Sequence, residues 1–334
     1  MISVALVGYG YWGKNLARNF NSISECSLKT IVDSDEQRLA SIGKLYPGIK
    51  AVKNISDVLN DPAIDAIILA TPVFSHYTLA KQALRAGKHV LVEKPMTASV
   101  SDALELIDLA QKQRLLLMPD HTFLYTGAVH KMKELIGANE IGAINYYDSN
   151  RINLGLFQND INVVWDLTPH DISILFHLID ERPVSVSATG ISHLKNGIEN
   201  IAYVTLNFQS NMIAHFACSW SSPVKIRQIL VGGDRKMILY DDNQVTEKIK
   251  VYDTGYSAKS DEERQRILVD YRVGDIYVPK LEMKEALAGM AADFIQAIRT
   301  GTEPESDWRS GLDVVKVLEA AQKSIKENGK EVRI

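Results

Sequence analysis

Apolar positions in the first third of the chain fall into short continuous runs separated by stretches of helical spacing. The apolar runs lie at 2–7, 28–32, 66–70, 89–92 and 115–118. The stretches of helical spacing lie at 12–21, 35–45, 75–86 and 99–113. Continuous apolar runs are typical of strands buried on both faces of a parallel sheet. Strands that alternate with helices of this length predict right-handed β-α-β crossovers and a doubly wound parallel sheet.

From about residue 143 the strand patterns follow one another with few helices between them. They lie at 143–153, 183–191, 201–209, 212–220, 226–232 and 236–240, and helical spacing returns at 165–179, 283–299 and 308–326. This order predicts a mostly antiparallel sheet with helices on one face, an α+β domain. We therefore predict two domains, residues 1–123 and 124–334, and an exposed excursion at the charged stretch 255–275.

Composition and charge narrow the class of protein. A length of 334 residues suits two domains, and the hydrophobic content of 46% and charged content of 23% are those of an ordinary globular protein. The formal net charge of −4 gives no signal for nucleic acid. The chain begins on a strand pattern, and none of its apolar runs approaches the ~20 residues of a membrane span. We expect a cytoplasmic protein without a membrane partner.

The cysteines and histidines give no pattern of metal ligands. Cys26 and Cys218 lie in different halves of the chain, both in apolar surroundings, so we expect two reduced core residues. The histidines are scattered without the spacing of a metal site. No metal is expected.

The first strand pattern ends in the sequence GYGYWG, and a helix pattern follows it. In this context Gly8 allows a tight turn, Gly10 lets the backbone approach a pyrophosphate, and Gly13 lets the helix pack closely on the sheet. Tyr11 and Trp12 open the helix, whose free N–H groups face the phosphates. The combination predicts a dinucleotide site, with a plain glycine turn as the alternative.

Asp33 ends the second strand pattern, 25 residues after Gly8. A carboxylate at this position accepts hydrogen bonds from the ribose hydroxyls and repels a 2′-phosphate, so NAD is favoured over NADP. Arg38 lies close enough along the chain to weaken that preference.

Two later strand patterns also end in polar residues, at the edge of the sheet where ligands bind. Thr71 and Pro72 follow one of them, and His76 begins the next helix, where it contacts the nicotinamide or caps the helix. Glu93 and Lys94 follow another. A lysine there hydrogen-bonds a substrate hydroxyl and stabilises negative charge on its oxygen, or it is a solvated surface residue.

Several of these segments together resemble the Gfo/Idh/MocA oxidoreductases, the relatives of glucose–fructose oxidoreductase and inositol dehydrogenase. They are the glycine motif, Ala-Thr-Pro at 70–72, Ala-Gly-Lys-His-Val at 86–90 and Glu-Lys-Pro at 93–95. The likeness continues in Trp-Asp-Leu-Thr-Pro-His-Asp at 165–171 and fades in 240–280. It implies a Rossmann domain followed by an α/β domain with a large open sheet, through which family members form homodimers or homotetramers.

The resemblance implies that Lys94, Asp166 and His170 are catalytic. The residue types and spacing agree with catalytic roles. Asp166 and His170 are spaced i, i+4 on one helix face, and an imidazole accepts a proton near neutral pH. In the implied mechanism His170 takes the proton of a substrate hydroxyl, Lys94 stabilises the oxygen and Asp166 orients the partners. From the residues alone, a helix cap and a core histidine remain alternatives.

The segment after the sixth strand departs from the family, in which many members carry an arginine there. It reads Pro-Asp-His-Thr-Phe-Leu-Tyr at 119–125, so His121 and Tyr125 become candidates for the substrate contacts.

The sequence around 10–20 and 151–155 resembles a branch of the family that oxidises C3 of UDP-N-acetylglucosamine or its uronic acid. Arg151, Asn153 and Gln158 would then reach a sugar or phosphate, unless they form a solvated strand edge. Trp165 would pack on a sugar or nicotinamide face, unless it is a buried aromatic residue.

Two other functions stay open. One is a dehydrogenase of the same family that acts on a polyol, inositol or sugar phosphate. The other is an NAD-binding sensor without turnover, against which the presence of Lys94 and His170 argues.

Overall fold

The computed structural model describes residues 1–155, 157–194, 197–257 and 270–334 and divides the chain into two compact units. The first unit comprises Met1–Tyr125 and Lys284–Glu319, and the second comprises Thr126–Met283 and Ala320–Ile334.

The first unit is built on a parallel sheet. In its described residues the sheet has six strands: β1 (Ile2–Val7), β2 (Cys26–Val32), β3 (Lys50–Val52), β4 (Ala66–Leu69), β5 (His89–Glu93) and β6 (Leu117–Asp120). Their order is β3-β2-β1-β4-β5-β6, so the strand order reverses between β1 and β4. In such sheets ligands bind outside the carboxyl ends of the strands at this reversal. The first strands read as continuous apolar runs because they are covered on both faces, and all of β4 is buried.

The helices of this unit lie between the strands or come from the end of the chain. They are α1 (Tyr11–Ser22), α2 (Glu36–Leu45), α3 (Ser56–Leu59), α4 (Val73–Arg85), α5 (Val100–Gln113), a 3₁₀ turn (Thr122–Tyr125), α8 (Ala286–Thr300) and the first part of α9 (Trp308–Lys326). The N-cap residues of α2 and α5 are Asp35 and Ser99, whose side chains accept backbone N–H bonds.

The predicted boundary at residue 123 needs one correction. The helices after residue 284, assigned by the sequence to the second domain, pack with the first unit as far as Glu319. The Phe294 ring meets Phe20 edge to face, and Glu285 accepts hydrogen bonds from Arg18 and Asn19. Such long-range partners leave no local signal, because the amphipathic pattern of a helix does not say which surface covers it.

The second unit is built on a mixed, mostly antiparallel sheet. Its described residues contribute nine strands: β7 (Ile144–Leu154), β8 (Ser185–Ile191), β9 (Ile201–Asn207), β10 (Ile213–Ser219), β11 (Ser221–Gly233), β12 (Met237–Asp241), β13 (Ile249–Ser257), β14 (Asp270–Tyr277) and β15 (Val332–Arg333). The order is β14-β13-β12-β11-β7-β10-β9-β8-β15, and β7 and β10 are a parallel pair. The helices α6 (Gly127–Gly137) and α7 (Val163–Leu178) belong to this unit.

The fold class predicted from the sequence is confirmed, with corrections in detail. The stretch 255–275 is not simply an excursion, because residues 255–257 of β13 pair with 270–272 of β14. The intervening residues 258–269 lie outside the described residues. The sequence pattern also missed short or weakly apolar elements, namely β3, α3, α6, β13, β14 and β15.

Cys26 and Cys218 are free thiols and both are buried, in agreement with the predicted core positions. Within the described ranges, the helices are all too short or too polar to cross a bilayer.

A buried ion pair joins the sheet of the second unit to α7. The guanidinium of Arg151 on β7 donates from Nε and Nη2 to the two carboxylate oxygens of Asp171, at 2.8 and 2.6 Å. Both side chains are about 95% buried, with exposed fractions of 5% and 3%. Tyr147 on the same strand donates to the carbonyl of Asp171 at 2.9 Å. The pair holds the central turn of α7 against the sheet.

Replacing Arg151 with Ala should therefore destabilise the protein by about 3–5 kcal/mol, since the Asp171 carboxylate would be buried without its cation. Thermal and urea unfolding measure this. Lys112→Ala, which breaks the exposed pair with Asp108, is the matched control and should leave the melting temperature within error. Equal effects of the two changes would contradict a stabilising role for the buried pair.

Candidate active site

The turn after β1 has glycines where any side chain would collide. Gly8 has a φ of +96°, and a Cβ there would lie 2.4 Å from the carbonyl oxygen of Ala70. A Cβ on Gly13 would lie 2.0 Å from the carbonyl oxygen of Gly8. Gly10 is different, because the nearest atom to its Cβ position is Nη1 of Arg38 at 3.9 Å. Internal packing explains Gly8 and Gly13, whereas Gly10 leaves open space in which a ligand can approach the backbone.

α1 begins in this turn with its N–H groups available. Its N-cap residue is Gly10, whose lack of a side chain leaves the first turn without a side-chain cap, and the first turn contains no acidic residue. The Tyr11 and Trp12 side chains are exposed and meet edge to face at 5.3 Å. Four N–H groups and a positive partial charge at a helix N-terminus suit an anionic group. The residues present therefore fit a pyrophosphate.

Asp33, at the end of β2, is buried with its carboxylate already engaged. Oδ2 accepts the N–H of Tyr9 at 2.6 Å, and Oδ1 accepts the N–H of Asp35 at 2.9 Å. The guanidinium of Arg38 lies 3.4 Å from Oδ2 and is half exposed. Asp33 thus holds the glycine turn as well as offering lone pairs to a ribose, while Arg38 is the cation beside that position.

The turn after β4 places Thr71 and Pro72 at the start of α4, with Pro72 as its N-cap residue. The hydroxyl of Ser75 donates to Thr71 Oγ1 at 2.8 Å. α4, like α1, has neither a side-chain cap nor an acidic residue in its first turn.

His76 lies in the first turns of α4 and is fully buried. Its Nδ1 is 2.9 Å from the carbonyl oxygen of Pro95, and its Nε2 is 2.8 Å from that of Thr71. Each ring nitrogen therefore faces a carbonyl oxygen, and the two carbonyls belong to different turns. The sequence placed this side chain among the cofactor contacts. The structure instead makes it a bridge between the turns after β4 and β5.

Glu93 and Asp120 end the neighbouring strands β5 and β6, in register with each other, and both are buried. Lys94 follows Glu93 and is partly buried, and its N–H donates to Glu93 Oε2 at 3.2 Å. Thr122 donates its hydroxyl to Asp120. The carboxyl edge of this sheet therefore combines one lysine with two buried carboxyl groups.

His121 and Tyr125, the predicted substrate contacts after β6, are both buried. Tyr125 donates its hydroxyl to Asp293 at 2.7 Å and accepts the N–H of Ser306 at 3.2 Å, so it holds α8 and is corrected to a structural residue. The Nδ1 of His121 lies 3.3 Å from the Ser310 hydroxyl. Burial lowers the pKa of His121 to about 3, so the ring is neutral at physiological pH.

In the second unit, α7 carries both Asp166 and His170 on one face. Asn162 caps the helix by accepting the N–H of Trp165 at 3.1 Å. The indole Nε1 of Trp220, a fully buried residue after β10, donates to Asp166 Oδ2 at 3.0 Å. Asp166 and His170 are each partly exposed. A carboxylate held by a buried indole is a fixed acceptor one turn from the imidazole.

Other predicted substrate contacts in this unit have different surroundings. The guanidinium of Arg151 forms the buried ion pair with Asp171. The prediction that Arg151 contacts the substrate is therefore corrected, and Arg151 is a structural residue. Trp165 is 8% exposed, which agrees with the buried alternative. Asn153 and Gln158 are partly exposed and flank Leu156, which lies outside the described residues.

Sequence reasoning missed Trp220 and Asp120. Trp220 is 54 residues from the carboxylate it binds, and no short motif joins them. Asp120 had a signal, because it ends a strand of the same parallel sheet as Glu93. Among the described side chains, groups of three or more His, Cys, Asp or Glu residues that would hold a metal ion are absent.

Comparisons with known proteins agree with this arrangement. The chain matches the family described as "Oxidoreductase family, NAD-binding Rossmann fold" over residues 2–121 and "GFO/IDH/MocA C-terminal domain" over residues 129–239. It therefore belongs to the Gfo/Idh/MocA family of NAD-binding oxidoreductases. The family and the enzyme class predicted from the sequence are confirmed.

Individual relatives are more distant. A UDP-N-acetylglucosamine 3-dehydrogenase of Acidithiobacillus ferrooxidans is 28% identical over 223 residues, 64% of this chain and 66% of that protein. A scyllo-inositol 2-dehydrogenase (NADP(+)) of Bacillus subtilis is 25% identical over an alignment of 349 residues, 98% of this chain and 94% of that protein. A solved structure of UDP-N-acetylglucosamine 3-dehydrogenase from A. ferrooxidans has a TM-score of 0.80 at 22% identity, covering 98% of this chain and 99% of that one, and shows the shared fold.

Replacing His76 with Ala should lower stability by about 1–3 kcal/mol, because the buried ring no longer links the carbonyl oxygens of Pro95 and Thr71. It should also weaken NADH binding, since the turns that carry Thr71 and Lys94 are no longer joined. Thermal unfolding and NADH titration by calorimetry measure both effects. The exposed Gln82→Ala on the same helix is the control. Wild-type stability and affinity in the His76 variant would contradict the bridging role.

Proposed function

We propose that this protein is an NAD-dependent dehydrogenase that oxidises a secondary hydroxyl, at C3, of a nucleotide sugar such as UDP-N-acetylglucosamine or its uronic acid. The observation that carries the proposal is the pair on α7, in which Asp166 is held by the Trp220 indole one helical turn from His170. The similarity to a UDP-N-acetylglucosamine 3-dehydrogenase suggests the substrate class.

Each residue has a stated role in the proposal. His170 accepts the proton of the substrate hydroxyl, and Asp166 keeps the imidazole in place and favours its protonated form. The Lys94 ammonium stabilises negative charge on a substrate oxygen. A bound nicotinamide supplies the hydride acceptor. A fixed acid–base pair of this kind contributes ~10²–10⁴-fold to the rate.

Asp33 supports the preference for NAD. Its carboxylate stands at the end of β2, where a 2′-phosphate would meet a negative charge already engaged by two N–H groups. The Arg38 guanidinium lies only 3.4 Å from the Asp33 carboxylate and supplies a counter-charge. We therefore expect NAD to bind more tightly than NADP, without complete exclusion of NADP.

A polyol or inositol dehydrogenase is the second candidate. It is favoured by the relative that aligns over 98% of this chain, which is named for scyllo-inositol and NADP(+).

The experiment is NADH formation, followed by absorbance, across UDP-sugars, free sugars, sugar phosphates and polyols, each with NAD and with NADP. We expect turnover of a UDP-sugar, faster with NAD. His170→Ala should lower turnover ~10²–10⁴-fold with little change in NADH affinity, whereas the exposed His130→Ala serves as the matched control. Turnover of a polyol with no UDP-sugar oxidised would select the second candidate. NADH binding without turnover of any compound would favour a sensor.

We also propose that the open sheet of the second unit forms a homodimer or homotetramer interface. On β9 and its partner β10 the residues alternate between buried and outward positions. Tyr203 on β9 and Ile213 on β10 lie on the outward face and are 51% and 47% exposed. The Tyr203 ring stacks on His215, its neighbour on this face, at 6.1 Å. Exposed aromatic and aliphatic residues on one sheet face suit association with a second copy.

Light scattering tests this. Wild type should show a multiple of the 37.2 kDa chain, and Tyr203→Glu with Ile213→Glu should shift it to the monomer mass, because two charges cannot be buried unpaired. Leu45→Glu, an exposed apolar position in the first unit, is the control. A monomeric wild type would overturn the proposal.

A further inference from the structure

The two carboxyl groups at the ends of β5 and β6 are unusual for the interior of a protein. Glu93 and Asp120 are register partners in the parallel sheet, so their backbones lie about 4.8 Å apart and their side chains leave the same face. Their exposed fractions are 9% and 3%. Carboxyl groups are almost never buried together unless their charge is compensated.

Two carboxyl groups that share a buried site do not readily both ionise, and the pKa of one of them is raised. Burial and the charge of Asp120 raise the pKa of Glu93 well above its usual range, and Lys94 opposes this. Burial raises the pKa of Asp120 to about 6, against the hydrogen bond from Thr122 and the charge of Lys94. Two interacting groups of this kind titrate as a pair, with pKa values that belong to both of them.

The neighbouring groups make Lys94 the natural counter-ion. The charge of Lys94 acts on both carboxyls and lowers the pKa of each. Thr122 is a neutral donor to Asp120. His121 follows Asp120 and is neutral, since burial lowers its pKa to about 3. His76, which contacts the Pro95 carbonyl next to Lys94, faces carbonyl oxygens through both ring nitrogens.

We propose that Glu93 and Asp120 form a proton-sharing carboxyl pair that carries one negative charge and positions the Lys94 ammonium at the carboxyl edge of the sheet. The proposal rests on the proposed function in one respect, the assignment of Lys94 to the substrate oxygen. Glu93 and Asp120 act through Lys94 and are positioning residues.

One charge, shared by two groups, has a distinctive consequence. Glu93→Gln or Asp120→Asn removes one carboxyl but lets the remaining one ionise, so Lys94 keeps a counter-ion. The double change removes the negative charge of the pair completely, so Lys94 loses the compensation that either carboxyl alone still provides. A pair with two independent carboxylates would instead show additive losses.

The first experiment is infrared spectroscopy of the ligand-free protein at pH 7, in which the spectrum of each variant is subtracted from that of wild type. Wild type should show the carbonyl stretch of a protonated carboxylic acid, distinct from the carboxylate bands, and it should be absent from Glu93→Gln and from Asp120→Asn. Glu36→Gln, an exposed carboxylate of the same unit, should leave the band in place. A wild-type spectrum without this band, or a band that survives both single changes, would overturn the proposal.

The second experiment is a double-mutant cycle on turnover with the substrate found in the panel. Each single change should lower kcat by less than about tenfold, and the double change by more than about a hundredfold, a non-additive result expected of groups that share one charge. Additive losses would overturn the proposal. Circular dichroism and NADH titration of the double variant separate loss of turnover from loss of folding.

The two experiments keep the proposals apart. The infrared band needs neither cofactor nor substrate, so it tests the carboxyl pair even if no UDP-sugar is oxidised. A missing band alongside UDP-sugar turnover would remove the pair and leave the proposed function intact.

Discussion

The close approach of α1 to the turn after β1 is the constraint on which the cofactor half of the molecule depends. A Cβ on Gly13 would reach within 2.0 Å of the Gly8 carbonyl, and one on Gly8 within 2.4 Å of the Ala70 carbonyl. Only backbone fits between β1, β4 and the helix, which brings the uncapped N-terminus of α1 to the carboxyl edge of the sheet. Asp33 secures the same turn through the Tyr9 N–H.

Buried charges are compensated in two different ways, one in the second unit and one at the carboxyl edge of the parallel sheet. Arg151 and Asp171 form a bidentate pair that fixes α7 to its sheet. At Glu93 and Asp120 the excess carboxyl is neutralised by retaining a proton, with Lys94 beside it. The first arrangement is structural. The second places a lysine beside two carboxyls with raised pKa values, and perturbed pKa values are typical of reacting sites.

Two buried side chains hold parts of the candidate site in place through their hydrogen bonds. His76 joins the turns after β4 and β5, and Trp220 holds Asp166 on α7. Neither residue needs to touch a ligand to affect catalysis, because each holds a turn or a side chain in place. Tyr125 and Arg151 illustrate the reverse case, in which a polar side chain near a site is committed to the protein itself.

The sequence by itself determined the parallel sheet, the glycine turn and the family, because buried strands, tight turns and short motifs are local patterns. It placed β1 at its observed bounds and identified α7 with Asp166 and His170 on one face. Only the tertiary structure decided that α8 packs with the first unit and that Arg151 pairs with Asp171. It also decided that Glu93 lies in register with Asp120. Those outcomes depend on residues far apart in the chain, whose contacts and shared burial no local period encodes.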